Sequence, residues 1–250
     1  MLIAFDSVRG TTLAGVDDKV GTILDLLIDT DDWLTRHLVV DTGKWLSERR
    51  VLLPPSILGQ RDWQQRAIAI KLTKQQVQDS PHVDSNKPVS RQMEAELYKY
   101  YDVPAYWGPA GVSLALGGPT GMPMSAHVPN GEQQVVEEEL PNLRSAKEIR
   151  NYSIEATDGD LGHVEDLIID DETWAVRYVV VDTKNWLPAR KVLISPQWVE
   201  SVSWSETTVS INMTREEIKN SPEYDPLTPI NRGYEEHLYD YYGRERYWLP

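Results

Sequence analysis

The chain has 250 residues, room for two small domains, and an ordinary 40% hydrophobic and 26% charged composition. A net charge of -14 argues against unaided binding to a phosphate backbone or an anionic membrane, because both are bound through Lys and Arg. Zero cysteines exclude disulfides, thiolate metal sites and thiol catalysis, and nothing in the sequence reads as a secretory leader or an apolar membrane span.

In chain order, Ile23 to Asp29 is a short apolar run bounded by acidic residues, the mark of a strand buried on much of both faces. The turn Asp29-Thr30-Asp31-Asp32 leads into a second strand, Trp33 to Asp41, rich in β-branched and aromatic residues. Arg49 to Leu53 follows, closed by Pro54-Pro55, and then Ile68, Ile70 and Leu72 alternate as on a half-buried strand. Thr73 to Gln76 fits a capping box at the start of a short helix that Ser80-Pro81 ends. Met93, Leu97, Tyr100 and Tyr101 then fall on one face of a further helix, which must dock on something.

A second copy of this series begins at Ile149. From Val8/Ile149 to Trp107/Trp248 the two stretches align at a constant shift of 141 residues without a gap, and about a third of the pairs are identical. Eight of the nine tryptophans form four pairs; Trp198 has no partner. The second copy supplies strands at Val164–Asp170 and Trp174–Asp182, the alternation Val209, Ile211, Met213, a capping box at Thr214–Glu217, and the stripe Tyr234, Leu238, Tyr241, Tyr242. The expected domains are 1–107 and 146–250, with 108–145, rich in Gly and Pro and then acidic, as a linker in which Val112, Leu114 and Leu116 alternate.

The run Val20-Gly21, Asp25-Leu-Leu-Ile-Asp29, Leu38-Val-Val-Asp41 and Arg50-Val-Leu-Leu-Pro54 resembles the PRC-barrel family. Gly162, Asp166 to Asp170, Val179 to Asp182 and Lys191 to Pro196 match the same pattern, with Ser195 in place of the first proline. The family is named for the cytoplasmic domain of the photosynthetic reaction-centre H subunit and also includes the C-terminal domain of a ribosome maturation factor. The resemblance implies two tandem small antiparallel β-barrels of the PRC type, each followed by short α-helices and used for protein association, with no shared catalytic residues. The membrane helix of the H subunit and the RNA-processing domain of the maturation factor have no counterpart in this sequence.

Several residue groups carry possible chemistry. The acidic clusters Asp29/Asp31/Asp32 and Asp170/Asp171/Glu172 offer oxygen ligands for a hard cation, but they lack the spaced loop and glycine of a calcium hand and read as solvated hairpin turns. The histidines His37, His82, His127, His163 and His237 have no ligand spacing and read as surface or rim positions. The charged residues kept in both copies, Asp25/Asp166, Arg36/Arg177, Asp41/Asp182 and Arg49/Arg190, read as a carboxylate–guanidinium network at the rim rather than an anion site. The shared motif Asp41 to Leu46 and Asp182 to Leu187 reads as a Trp plug whose Asp and Thr bond the turn backbone, with a partner-binding loop as the alternative.

No catalytic, cofactor-binding or metal-binding residue is assigned, and no cofactor is expected. The expected function is a non-catalytic, cytoplasmic protein-binding or scaffold protein whose barrels pack as a pseudo-dimer, able to associate with a membrane or electron-transfer complex through its protein partner. No nucleic acid and no direct membrane insertion are expected, and a homo-oligomer is allowed. The alternatives are a small-ligand sensor or enzyme using an inter-barrel cleft, marked by polar residues present in one copy only, and a ribosome- or RNA-associated factor.

Overall fold

The computed structural model describes residues 1–46, 49–83, 88–107, 142–183 and 190–249. The first copy contains β1 (Leu2–Ala4), α1 (Phe5–Val8), β2 (Thr12–Ala14), β3 (Lys19–Asp29), β4 (Leu34–Asp41), β5 (Arg50–Leu53), β6 (Leu58–Asp62), β7 (Ala67–Ile70), α2 (Lys74–Gln78) and α3 (Arg91–Tyr100). The second contains β8 (Leu143–Ser145), α4 (Ala146–Ile149), β9 (Ser153–Ala156), β10 (Gly159–Asp170), β11 (Val176–Asp182), β12 (Lys191–Ile194), β13 (Val199–Ser203), β14 (Thr208–Ile211), α5 (Arg215–Asn220) and α6 (Arg232–Tyr242). The fold is mainly β, with six short helices among the described residues.

Each copy builds a seven-stranded sheet in the order β5-β4-β3-β2-β7-β6 or β12-β11-β10-β9-β14-β13. The orders are open paths, so the expected closure into barrels is not formed among the described residues; the pairing is mostly antiparallel, as expected, with β2 beside β7 and β9 beside β14 in parallel. The reason is the chain's route: a 3-10 turn at Pro55–Ile57 carries β5 into β6 on the far end of the path, and β7 returns beside β2 in the same direction.

The seventh strand of each sheet comes from the other copy. Strand β1 lies antiparallel to β10, with Ile3 opposite Ile169, and β8 lies antiparallel to β3, with Arg144 opposite Ile28. The structural repeat thus starts at Leu2 and Leu143, earlier than the match that opens at Val8/Ile149. Leu143–Ser145, inside the stretch read as linker, is a strand.

The hairpin tips also meet. Thr35 N donates to Trp174 O at 3.0 Å and Val176 N to Trp33 O at 2.8 Å, around an isolated bridge between Leu34 and Ala175. Every partner in this set is related to another by the 141-residue shift. Trp33 and Trp174 both take a left-handed backbone, with φ of 58° and 60°, which is costly for a bulky residue and is held here by these cross-copy bonds.

The buried apolar side chains of both copies form one continuous core. Two capping boxes start α2 and α5, as Thr73/Gln76 and Thr214/Glu217 predict. Helices α3 and α6 dock on their own copies, Tyr100 and Tyr241 donating to the carbonyls of Gln76 and Glu217. The buried face of α3 is Glu94, Leu97 and Tyr98, followed by Tyr101, rather than the stripe through Tyr100, which is exposed. The same shift holds in α6, where Glu235, Leu238 and Tyr239 are buried. The unpaired Trp198 occupies the place of Ile57 and packs its ring against Tyr239 and Tyr242.

Candidate functional site

The duplicated charges prove to be clasps of several kinds. Asp25 accepts from Ser145 Oγ and, at 3.2 Å, from Lys147 N, so it holds the first turn of α4 in the other copy. Asp166 does the same for α1 through Asp6 N at 3.3 Å. Arg36 pairs with Asp29 and Asp32, and Arg177 with Asp170 at 3.1 Å, across their own hairpins. Burial outweighs the nearby Arg36 and raises the Asp32 carboxyl, whereas Asp170, despite burial, is held below its usual value by bonds from Glu172 N, Thr173 and Arg177.

Arg49 and Arg190 depart from the expected carboxylate pairing. Arg49 donates to the carbonyls of Gln78 and Pro81, and Arg190 to that of Ser221. The carbonyls at a helix C-terminus lack internal partners, and a guanidinium fork satisfies several at once. In the shared motif, Asp41 accepts from Gly43 N at 2.8 Å and Thr42 donates to Arg49 O at 2.6 Å. Trp45 Nε1 donates to Val20 O, and its ring is half-buried beneath Lys74. Thr183 donates to Arg190 O, and Asp182 is buried; Trp186 and Leu187 lie outside the described residues.

Two readings require correction. Asp29 and Asp171 are buried rather than solvated, and Asp171 accepts from Trp63 Nε1 at 2.7 Å and from the Met1 amino group. His37 is fully buried, not a rim residue: its Nε2 meets Glu94 Oε1 at 2.8 Å. His82, His163 and His237 are exposed, and His127 lies outside the described residues.

Glu94 and Glu235 are the polar residues that sequence reasoning missed. Glu94 also accepts from Arg91 at 2.8 Å and from Tyr106 at 3.1 Å. Glu235 accepts from Arg232, Tyr247 and, in place of the histidine, Tyr178 at 2.8 Å. Burial and the adjacent carboxylate push the Tyr178 hydroxyl well up, so it remains a donor. The signal was present: Arg91, Glu94, Tyr98 and Tyr106 recur unchanged at the 141-residue shift. A buried carboxylate with three donors is satisfied, and its chemistry is that of a structural tie.

A cleft of about 630 Å³ opens between the copies. One wall is the hairpin tip Thr30 to Leu34 and the other is β13, with Trp204 and Tyr247 beside it. Arg177 lines it but is engaged by Asp170 and stacked on Tyr247 at 4.3 Å. On the equivalent opposite side, Trp63 is tied to Asp171; Trp204 faces Thr30 at that place and is covered by Arg144 at 4.7 Å. Among the described residues no cluster of three or more His, Asp or Glu is placed to hold a metal ion. The arrangement offers a polar, aromatic-edged slot and an accessible strand.

Two tandem copies of a small β fold, clasped by strand exchange and lacking an embedded helix long and apolar enough to cross a membrane among the described residues, define a repeat protein of the small-barrel class. The chain belongs to the PRC-barrel domain family, whose family model matches residues 2–77 and 141–215. No curated protein matches it.

Proposed function

We propose that this chain is a non-catalytic protein-binding scaffold, that its two repeats form an intramolecular pseudo-dimer, and that partners dock in the cleft between them. The observation that carries this reading is the reciprocal exchange of β1 and β8, which joins the repeats and leaves a cleft on one side of the junction. The character of the buried polar groups supports it. Glu94 and Glu235 are each occupied by three neighbours, and Asp25 and Asp166 are spent on helix starts. A general base or nucleophile needs a free, positioned group instead.

The test uses the internal symmetry as its control. Ser201, exposed on β13, and Gln60, its equivalent on β6, are each replaced by Trp in the full chain. Proteins captured from native lysate by the wild type are expected to be lost with Ser201→Trp and kept with Gln60→Trp. Equal capture by both variants, or turnover in an activity screen abolished by one point substitution, overturns the reading.

A further inference from the structure

We propose that the cleft takes an extended, cationic peptide, which adds as a strand to the free edge of β13. This rests on the cleft being the docking surface and names the chemistry of its occupant. Val199, Glu200, Ser201 and Val202 all line the cleft. Beyond the bulge at Glu200, Ser201 and Val202 point to opposite faces of the strand, so the presence of both in the lining means that the strand presents its edge to the cleft. Strand β13 ends the sheet path and, among the described residues, is paired with β14 alone, leaving the main-chain groups of its outer edge to a further strand.

Charge sets the occupant. Asp31 and Glu200, from opposite walls, are both exposed, and among the described residues neither has an ion-pair partner. Asp31 accepts only from the neutral Asn142 amide, at 2.9 Å. The cation that lines the cleft, Arg177, is already neutralised by Asp170. A lysine or arginine between the two carboxylates would keep its charge at the rim, beyond Trp204 and Tyr247, whose rings already carry Arg144 and Arg177.

The equivalent edge, β6, does not share these features. Gly59 stands there in place of Glu200, and Arg61 in place of Val202. The acidic edge therefore belongs to the second repeat alone, and it is the one that faces the open cleft.

The experiment titrates the full chain with the decapeptides (Lys-Val)5 and (Glu-Val)5, following tryptophan fluorescence and calorimetric heat. Saturable binding of the first and none of the second is expected. Asp31→Lys with Glu200→Lys should weaken (Lys-Val)5 at least tenfold. Glu155→Lys with Glu96→Lys, an equal change of net charge at exposed positions outside the cleft lining, should leave affinity within about twofold. Val202→Pro, which removes an N–H that points away from β14 and is tolerated on an edge strand, should weaken it with the circular dichroism unchanged.

Equal losses in the two double-lysine variants would reduce the attraction to net charge and overturn the proposal, as would equal binding of both peptides or of neither. If the peptide fails while Ser201→Trp still abolishes capture from lysate, the occupant is wrong and the docking surface stands. If both fail, the docking surface falls with it.

Discussion

Phe5→Ala separates a clasped pair of repeats from two independent ones. Phe5 is fully buried, belongs by sequence to the first repeat, and lies on α1, which packs against β10 of the second. The guanidinium groups of Arg9 and Arg150, one from each repeat, lie 5.9 Å from its ring. Truncating a buried Phe costs about 3–5 kcal/mol. Alanine stands at the equivalent Ala146 in the same helical conformation, so the loss is of packing and not of backbone geometry. At about 2–4 °C per kcal/mol for a chain of this size, the midpoint should fall by roughly 6–20 °C. Hydrogen exchange read by mass spectrometry locates the effect. Faster exchange is expected around Ile168–Ile169 and Val179–Val181 of the second repeat, as well as near the substitution. Acceleration confined to residues before 83 would refute the exchange as a coupling element.

Three further outcomes follow from the packing. Leu97→Ala and Leu238→Ala, both at fully buried positions, should each cost about 2–5 kcal/mol in urea unfolding, while Lys99→Ala, exposed, stays near wild type. Gly162→Ala should cost more than about 1 kcal/mol, since Gly162 has φ of +123° and an added Cβ would overlap the Asp182 carbonyl oxygen; a stable variant would show that the strand can shift. Asp170 has a folded-state pKa below its ordinary 3.8, so its contribution is present above that value and is lost as pH falls through the lower folded one. Asp170→Asn should therefore lower the unfolding midpoint at neutral pH, with the gap from wild type closing in acid; a gap independent of pH would refute the assignment.

Much of this architecture was legible because it is local or repeated. The 141-residue shift, the β-branched runs and the two capping boxes are patterns within a few residues, and the structure places strands and helix starts accordingly. The strand exchange was hidden because it pairs segments more than a hundred residues distant through only three residues each. In those segments identity has faded to Leu2/Leu143, with Ile3 and Phe5 facing Arg144 and Ala146. The helix stripe was misplaced by one position because apolar periodicity ignores a buried carboxylate. Glu94 sits on the core side, as its neighbours His37, Arg91 and Tyr106 require, and carries Tyr98 inward with it. His37 read as a rim residue because its partner lies 57 residues away. The cleft depends on the meeting of two hairpin tips, which no single repeat's sequence describes.

The reciprocal strands have a consequence for stoichiometry. In a two-fold dimer of identical chains, every substitution is written twice, and any groove off the axis exists twice. Here both halves are encoded separately, so Thr30 can stand where the second repeat has Asp171, and Gly59 where it has Glu200, while the shared clasp of β1 and β8 persists. One opening can be tied shut by Trp63 and Asp171 without touching the other. The molecule thereby gains a front and a back that a dimer of identical chains does not have.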